Sequence, residues 1–405
     1  MKYSAIIERD ADKRKKLIGK IIGKKSARHD GGQALILVPE KHILDACAGM
    51  GTIFHAGLKI SEKKDIWKKV ASGEIQTIIG TQKALFLPYK NLATIVVDEE
   101  QHENYKLWDQ YPRLHTVRGA QQLAAIHKAE IIYASSYPSI ALRHAIQTGA
   151  CTMLHNRPIA LLPKVIQFSF EDRKWKRAVP DEASHAIRTW ARKGLRVLVL
   201  HNKKDSVSVR DAITRRLGKQ AAKNIYIGTT ALLSDPLVAD ADRVVWLFPE
   251  FTMRTYDFRA SERARILAAR LQNITPKSSL LIATRHMDVS KATFESSEEV
   301  WTSVVLEERS RLHLSPFADL VRLTVIDKDD KKSRARAITV REILDEALNK
   351  NPACKVYGPF QEYKAKTKKK MHEYHLLLAG PLNTLVDIYK DVPVDSADVD
   401  PHRIV

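Results

Sequence analysis

The sequence predicts an α/β protein: two doubly wound parallel sheets in tandem, followed by a small α+β domain. Three observations carry this. From residue 6 to residue 140, short β-branched apolar runs alternate with longer helix-periodic segments, the pattern of a parallel sheet covered by helices. A second alternation of the same kind begins near residue 180. The tail then changes to a β-α-β-β-α order.

In the first lobe, strands are expected at 34–38, 52–55, 76–80, 94–98 and 131–135, with helices over 65–72 and 118–128. The run Ala93-Thr-Ile-Val-Val-Asp-Glu-Glu-Gln101 stands out, because an apolar stretch of buried-strand length ends in three carboxylates. Acids at a strand's C-terminal end lie where open α/β sheets bind ligands. Residues 156–177 lose the rhythm and carry Pro158 and Pro163, so they read as a connector. Beyond it come a helix over 180–193, a strand at 196–201, a helix over 206–217 and strands at 224–228 and 243–248. A helix over 260–272, a strand at 279–284 and a helix over 296–311 complete this lobe. The tail reads as strand 318–326, helix 339–350, strands 355–358 and 374–379, helix Leu382–Tyr389 and a final strand, a ferredoxin-like order. The expected domains are therefore 1–155, a connector 156–179, 180–311 and 312–405.

Charge is the strongest global signal. Lys and Arg number 67 against 47 Asp and Glu, a formal balance of +20 in 405 residues. Such an excess fits a polyanion, most simply nucleic acid, whose counterions are released on binding. An anionic membrane is the other reading, but no apolar run approaches the ~18 residues of a span, and no Lys-rich helix shows an aromatic face. The first sixteen residues lack the apolar core of a signal peptide, so a cytoplasmic location is expected. Cys47, Cys151 and Cys354 are too far apart for a disulfide framework or a Cys-x-x-Cys zinc site. His42, His55, His102, His115 and His127 are too scattered for a metal cluster, and Gly49-Met-Gly51 is too short for a phosphate loop.

A set of motifs follows in order: Leu37-Val-Pro-Glu40, His55-Ala-Gly57, Trp67 with Ser72-Gly-Glu74, and Ile79-Gly-Thr81 with Ala84-Leu-Phe-Leu-Pro88. Then stand Val97-Asp-Glu-Glu100, Tyr105-Lys106, Pro112-Arg113, His115, Arg118 and Ser135-Ser-Tyr-Pro-Ser139. Asp257-Phe-Arg-Ala260 with Glu262-Arg263, Tyr357-Gly-Pro359 and Asp398-Val-Asp-Pro401 complete the set. Taken together they resemble the primosomal protein N′ (PriA) family, bacterial replication-restart helicases of superfamily two. The resemblance implies two RecA-like lobes and a C-terminal domain, with ATP and Mg²⁺ as cofactors. It places Asp98 at the metal, Glu99 at the attacking water and Lys13 at the phosphate-loop lysine. It also implies single-stranded or forked DNA, single-strand-binding protein and helicase-loading primosome proteins as partners, and a bacterial nucleoid-associated location.

The departures from the family are as informative. The family's leading DNA-binding region and its paired-zinc insertion are expected to be lacking here, so no zinc is expected. Glu8-Arg-Asp-Ala-Asp-Lys-Arg14 stands where a Gly-x-x-x-x-Gly-Lys-[Ser/Thr] loop should cradle phosphates with backbone N–H groups. Leu271-Gln-Asn-Ile-Thr-Pro276 replaces the second-lobe arginine motif, with Arg270 out of register, and Gln101 replaces a histidine. The expectation is a DNA-binding protein of replication restart or DNA repair with degenerate helicase motifs. An active ATP-dependent 3′→5′ helicase and a protein-interaction scaffold remain the alternatives. Asp98 and Glu99 would then be either the surviving metal and water positions or turn acids paired with a Lys or Arg.

DNA contact is expected in two places. Tyr105, Lys106, Trp108, Tyr111, Arg113, His115 and Arg118 interleave aromatics with cations, which suits base stacking beside phosphates. Lys364, Lys366, Lys368, Lys369 and Lys370 form a run between two strands that can follow a phosphate backbone. The plain readings are that Trp108 and Tyr111 pack the loop down and that the lysine run is a solvated face.

Overall fold

A computed structural model describes residues 2–26, 32–45, 47, 49–107, 113, 115–161, 163–167, 181–201, 211, 215, 221–235, 238, 241–253, 257–274, 280–361 and 371–401. The chain divides into two compact units, one of Met1–Pro158 with Val305–Val405 and one of Ile159–Val304.

The first lobe is a seven-stranded sheet ordered β3-β4-β2-β5-β6-β1-β7. Its strands are β1 (Tyr3–Glu8), β2 (Gln33–Leu37), β3 (Thr52–Phe54), β4 (Thr77–Gly80), β5 (Leu92–Asp98), β6 (Glu130–Ser135) and β7 (Thr152–Arg157). Every pairing within it is parallel. Alternate residues of a strand point to opposite faces, and the cores obey that period. Leu35, Leu37, Ile95 and Val97 enter one cluster, while Ala34, Ile36 and Val96 enter the other. Helices α1 (Ala11–Ser26) and α2 (Lys41–Asp45) cover the second face through Ile18, Ile22 and Leu44. Helices α3 (Ile60–Ser72), α4 (Thr116–His127) and α5 (Ile140–Gln147) cover the first through Val70, Ala120, Ala124 and Leu142.

The second lobe repeats the plan with five parallel strands ordered β10-β9-β11-β12-β8. These are β8 (Lys164–Gln167), β9 (Val197–Leu200), β10 (Ile225–Gly228), β11 (Arg243–Leu247) and β12 (Leu280–Thr284). Helix α6 (Asp181–Arg192) packs Ala183 and Ile187 on Val197, Val199, Val245 and Leu247. Helices Ala260–Ile274 and Met287–Phe294 pack Ala264, Ala268, Leu271 and Phe294 on Leu198, Leu200, Val244 and Trp246. Both lobes are thus doubly wound and RecA-like. The stretch read as a connector contains β8, which pairs with β12, and the helix expected over 206–217 lies mostly outside the described residues.

The C-terminal domain is a four-stranded antiparallel sheet ordered β14-β15-β13-β16, built from β13 (Asp319–Asp327), β14 (Lys355–Gln361), β15 (His372–Gly380) and β16 (Ser396–Val399). With helices Asp330–Leu348 and Leu382–Tyr389 between the strands, the order is β-α-β-β-α-β, the ferredoxin-like arrangement. Its first helix begins nine residues ahead of the expected 339, because Asp329 caps it by accepting from the N–H groups of Lys331 and Lys332. The polar run Lys331-Lys-Ser-Arg-Ala-Arg336 hides that first turn from a hydrophobic-period reading.

Candidate functional site

β5 ends at Asp98, and pairing with β6 sets Asp98 beside Ala134. Glu99 follows in the left-handed region, at φ 51°. A residue without a β-carbon exemption holds that conformation only where its surroundings over-determine it. Here they do. The Glu99 carboxylate accepts from the Ser136 N–H at 3.2 Å and hydroxyl at 2.9 Å, and from the Gln101 amide. Ser135 in turn donates to Gln101 Oε1 at 2.6 Å. The third acid, Glu100, accepts from the Ser139 N–H at 2.8 Å, where α5 begins. The acidic turn and the Ser135-Ser136 segment are therefore one hydrogen-bonded assembly.

The cation facing the first two acids is Arg14, from the first turns of α1. Its Nε donates to Asp98 Oδ1 at 2.6 Å, a second guanidinium nitrogen lies 2.6 Å from Glu99 Oε1, and a third reaches the Glu8 carbonyl at 3.0 Å. Arg14 is 3% exposed and Asp98 2%. Lys13, the expected phosphate-loop lysine, points elsewhere: its side chain is 54% exposed and lies 3.8 Å from Asp10.

The start of α1 is closed in the same way. A helix N-terminus leaves backbone donors that phosphate-binding loops turn toward the ligand. Asp10 Oδ1 accepts from the N–H groups of Asp12 and Lys13, each at 3.1 Å. Glu8 Oε1 accepts from the Asp10 N–H at 3.0 Å, and its other oxygen lies 2.9 Å from His155 Nε2. Carboxylates of the chain itself occupy the donors that a phosphate would need.

Burial raises the Glu99 pKa, but Arg14 and the bonds from Gln101 and Ser136 outweigh it and hold the carboxyl below its ordinary range. Glu8 is likewise lowered, burial being outweighed by the Asp10 N–H and His155. Asp98 moves upward, because burial and the Glu99 charge exceed the pull of Arg14. Burial alone would weaken the Arg14 cation, and the two carboxylates reverse that and keep it charged. Mg²⁺ requires an octahedron of oxygens at ~2.0–2.1 Å. The residues present do not fit a Mg²⁺–nucleotide: a guanidinium fills the acid pair, and an aspartate fills the phosphate nest.

The basic loop behind this site turns toward the C-terminal domain. Tyr105 is 1% exposed and its hydroxyl lies 2.6 Å from the Asp98 carbonyl and 3.0 Å from that of Leu37. Lys106 is 1% exposed as well; its Nζ reaches Asp398 Oδ1 at 2.7 Å, the Val399 carbonyl at 2.6 Å and the Arg113 carbonyl at 2.8 Å. Asp398 also faces Arg113 at 3.5 Å and Arg322 at 3.6 Å. Asp400 lies 3.8 Å from His115 and 3.9 Å from Arg118, which also pairs with Asp319. Arg113 and Arg118 keep 39% and 38% of their side-chain surface exposed. Trp108, Tyr111, Lys364, Lys366, Lys368, Lys369 and Lys370 lie outside the described residues.

Asp98 and Glu99, singled out in the sequence, both meet Arg14. Sequence reading missed Arg14, Glu8 and His155. The signal for Arg14 was present: it precedes Ile18 and Ile22 by four and eight residues, on the buried stripe of α1. Nothing in the sequence marked His155, which is brought to Glu8 by the pairing of β1 with β7. Among the described residues, no group of three or more His, Cys, Asp or Glu could hold a metal ion.

Fold and site define the class, an α/β protein with two RecA-like lobes whose first lobe carries a buried arginine–carboxylate cluster at the end of β5. Comparison with known proteins makes it more particular. The chain is 29% identical over 132 residues to replication restart protein PriA of Bacillus subtilis (strain 168), covering 31% of this chain and 16% of that protein. PriA of Synechocystis is 32% identical over 124 residues, covering 29% of this chain and 15% of that protein. PriA of Thermotoga maritima is 32% identical over 118 residues, covering 27% and 16%. The match thus spans about a sixth of the length of these curated relatives. No protein-family model matches the chain. Among solved structures, the DUF1998 helicase MrfA bound to DNA and AMPPNP is similar at 12% identity and a TM-score of 0.46, over 78% of this chain and 49% of that one. Mycobacterium smegmatis helicase Lhr, bound to ssDNA and AMP-PNP, gives 12% and 0.42 over 76% and 46%.

Proposed function

We propose that this chain is a DNA-binding, helicase-like protein of replication restart or DNA repair that does not hydrolyse ATP. The observation that carries the second half is Arg14, seated at 2.6 Å from both Asp98 and Glu99. Phosphoryl transfer needs a phosphate cradle, a metal and an oriented water. Here the cradle donors and the metal acids already have intramolecular partners. DNA binding is supported by the +20 charge and by the partial similarity to PriA. Single-stranded or forked DNA is the substrate class, with single-strand-binding protein and helicase-loading proteins as the partners the resemblance implies. Of the loop cations, Arg113 and Arg118 are the ones with surface to offer a phosphate, and Tyr105 and Lys106 serve the loop's internal structure.

The test is ATP hydrolysis with forked DNA present, alongside fork binding across a salt series. The expected outcome is no DNA-stimulated hydrolysis, with affinity falling steeply as salt rises, by a log–log slope of ~0.9 per phosphate contact. Hydrolysis that Asp98→Asn and Glu99→Gln abolish would overturn the non-hydrolysing reading and restore the helicase. Weak, salt-insensitive binding would overturn the DNA reading in favour of a protein scaffold.

A further inference from the structure

The exposed face of α1 carries Lys13, Lys16, Lys20 and Lys24, all solvent-exposed. Their spacing of three, four and four residues puts them on one side of the helix at steps of about 4.5–6 Å, a stripe of roughly 16 Å. Ile18 and Ile22 lie on the opposite side, in the core, while Leu17 and Ile21 are half-buried along the flank between the two faces and pack against that core. From Lys13 to the end of the helix there is no acidic residue. Lys13 has only the loose contact to Asp10 at 3.8 Å, and Lys16, Lys20 and Lys24 have no ion-pair partner among the described residues. Like charges at these spacings destabilise a helix. α3, by contrast, interleaves Glu62 and Asp65 among its lysines, with a Lys69–Asp65 pair at 3.0 Å.

From this uncompensated ladder we infer that the outer face of α1 is a docking surface for the phosphate backbone of nucleic acid. The inference rests on the DNA-binding reading and adds a site to it, separate from the loop at Arg113–Arg118 and from the acids at Arg14. Charge complementarity selects the occupant. A strand of duplex DNA offers a phosphate every ~3.4 Å along its axis, so long lysine stems stepping at one turn of helix meet every first or second phosphate. Lysine is a mobile point charge and reads no base, so the surface is sequence-independent. A membrane-surface helix would turn an exposed apolar or aromatic strip outward beside its lysines, whereas the apolar residues flanking the lysines of α1, Leu17 and Ile21, are half-buried and packed against the core.

The experiment uses the full chain carrying Lys16→Gln, Lys20→Gln and Lys24→Gln together, beside a variant with arginine at the same three positions. Binding of forked DNA is measured across salt concentrations, with circular dichroism and thermal melting as folding checks. The glutamine variant is expected to melt no lower than wild type, to bind at least tenfold more weakly at ~0.1 M salt, and to lose about 2–3 from the log–log slope. The arginine variant should keep the wild-type slope. A glutamine variant with wild-type slope and affinity overturns the inference while leaving the DNA-binding reading standing. Wild type that fails to bind DNA in low salt overturns both. Loss of binding to phosphatidylserine vesicles with DNA binding intact overturns it in favour of a lipid surface. A loss that the arginine variant shares overturns it too, since charge would not be the cause.

Discussion

Arg14 determines what the two acids at the end of β5 can do. A buried pair is weak evidence for stability while intact, but removing one partner leaves a charge with no compensation. Arg14→Met leaves the buried Asp98 carboxylate without a partner beside the half-buried Glu99 and is expected to cost about 3–5 kcal/mol, read as a lower urea midpoint at neutral pH. Combining it with Asp98→Asn and Glu99→Gln should recover most of that loss, because no buried charge is then left over. Acid pH probes the same residues with a definite sign. Glu8 and Glu99 titrate below the ordinary glutamate value of 4.5, so their stabilisation is complete above it and is lost as pH falls through their folded values. Asp98 titrates above the ordinary 3.8, and its protonation on acidification relieves a cost. Denaturation followed from neutral to acid pH should therefore show a shallower acid-side loss in Glu99→Gln and a steeper one in Asp98→Asn. Equal slopes in all three proteins would show that the pair is not held as the geometry indicates. The Asp-Glu pair was legible because its position at a strand end carries meaning. Arg14 was not, because it stands among Lys13, Lys15 and Lys16 and only the helix phase separates it from them.

Among the elements, β2 and β5 were readable from their apolar runs, and the edge strand β7 was not. β7 has the sequence Thr-Met-Leu-His-Asn-Arg and lies at the sheet edge, mostly exposed, so no buried face imposes a period on it. A turn recurs in both lobes: Ile79-Gly-Thr81 and Ile227-Gly-Thr229 each lead from a strand into a short 3-10 helix, with the threonines at φ −86° and −95°. The two glycines differ in what surrounds them. A β-carbon on Gly80 would meet the Phe54 carbonyl at 2.6 Å, and one on Gly228 would meet the end of the Leu232 side chain at 2.6 Å. Backbone cannot yield as a leucine tip can. Gly80→Ala is expected to destabilise by about 1–3 kcal/mol through overpacking and Gly228→Ala by distinctly less, both measurable by thermal melting. The loop after β5 shows how reading a segment alone misleads. Tyr105-Lys106 reads as a DNA-facing pair by its chemistry, yet its partner Asp398 is 292 positions away in the sequence. No local pattern could reveal a contact made by chain folding over that distance, although both segments belong to the motifs that carried the resemblance.

At the scale of the whole molecule, the C-terminal domain belongs to the same compact unit as the first lobe, although the second lobe separates them in sequence. Lys106 is the most deeply buried of the charged contacts that join them, beside the pairs of Arg113, His115 and Arg118 with Asp398, Asp400 and Asp319. A lysine with no exposed side-chain surface must have its charge met, and Asp398 and the Val399 carbonyl of β16 meet it. Asp398→Asn removes the anion and leaves the ammonium buried, at a cost of about 3–5 kcal/mol if no relaxation intervenes. Adding Lys106→Met should return part of it, since the pair then disappears together. Where a chain folds as two units, unfolding need not be a single transition. Calorimetry should therefore resolve a transition for Met1–Pro158 with Val305–Val405 and another for Ile159–Val304. Arg14→Met lies in the first lobe and Asp398→Asn in the C-terminal domain, yet both are expected to lower the same transition and to leave the other in place. If Asp398→Asn moved a transition that Arg14→Met does not, the C-terminal domain would be unfolding separately, and the Lys106–Asp398 pair would be a contact between domains without being the clamp that joins them.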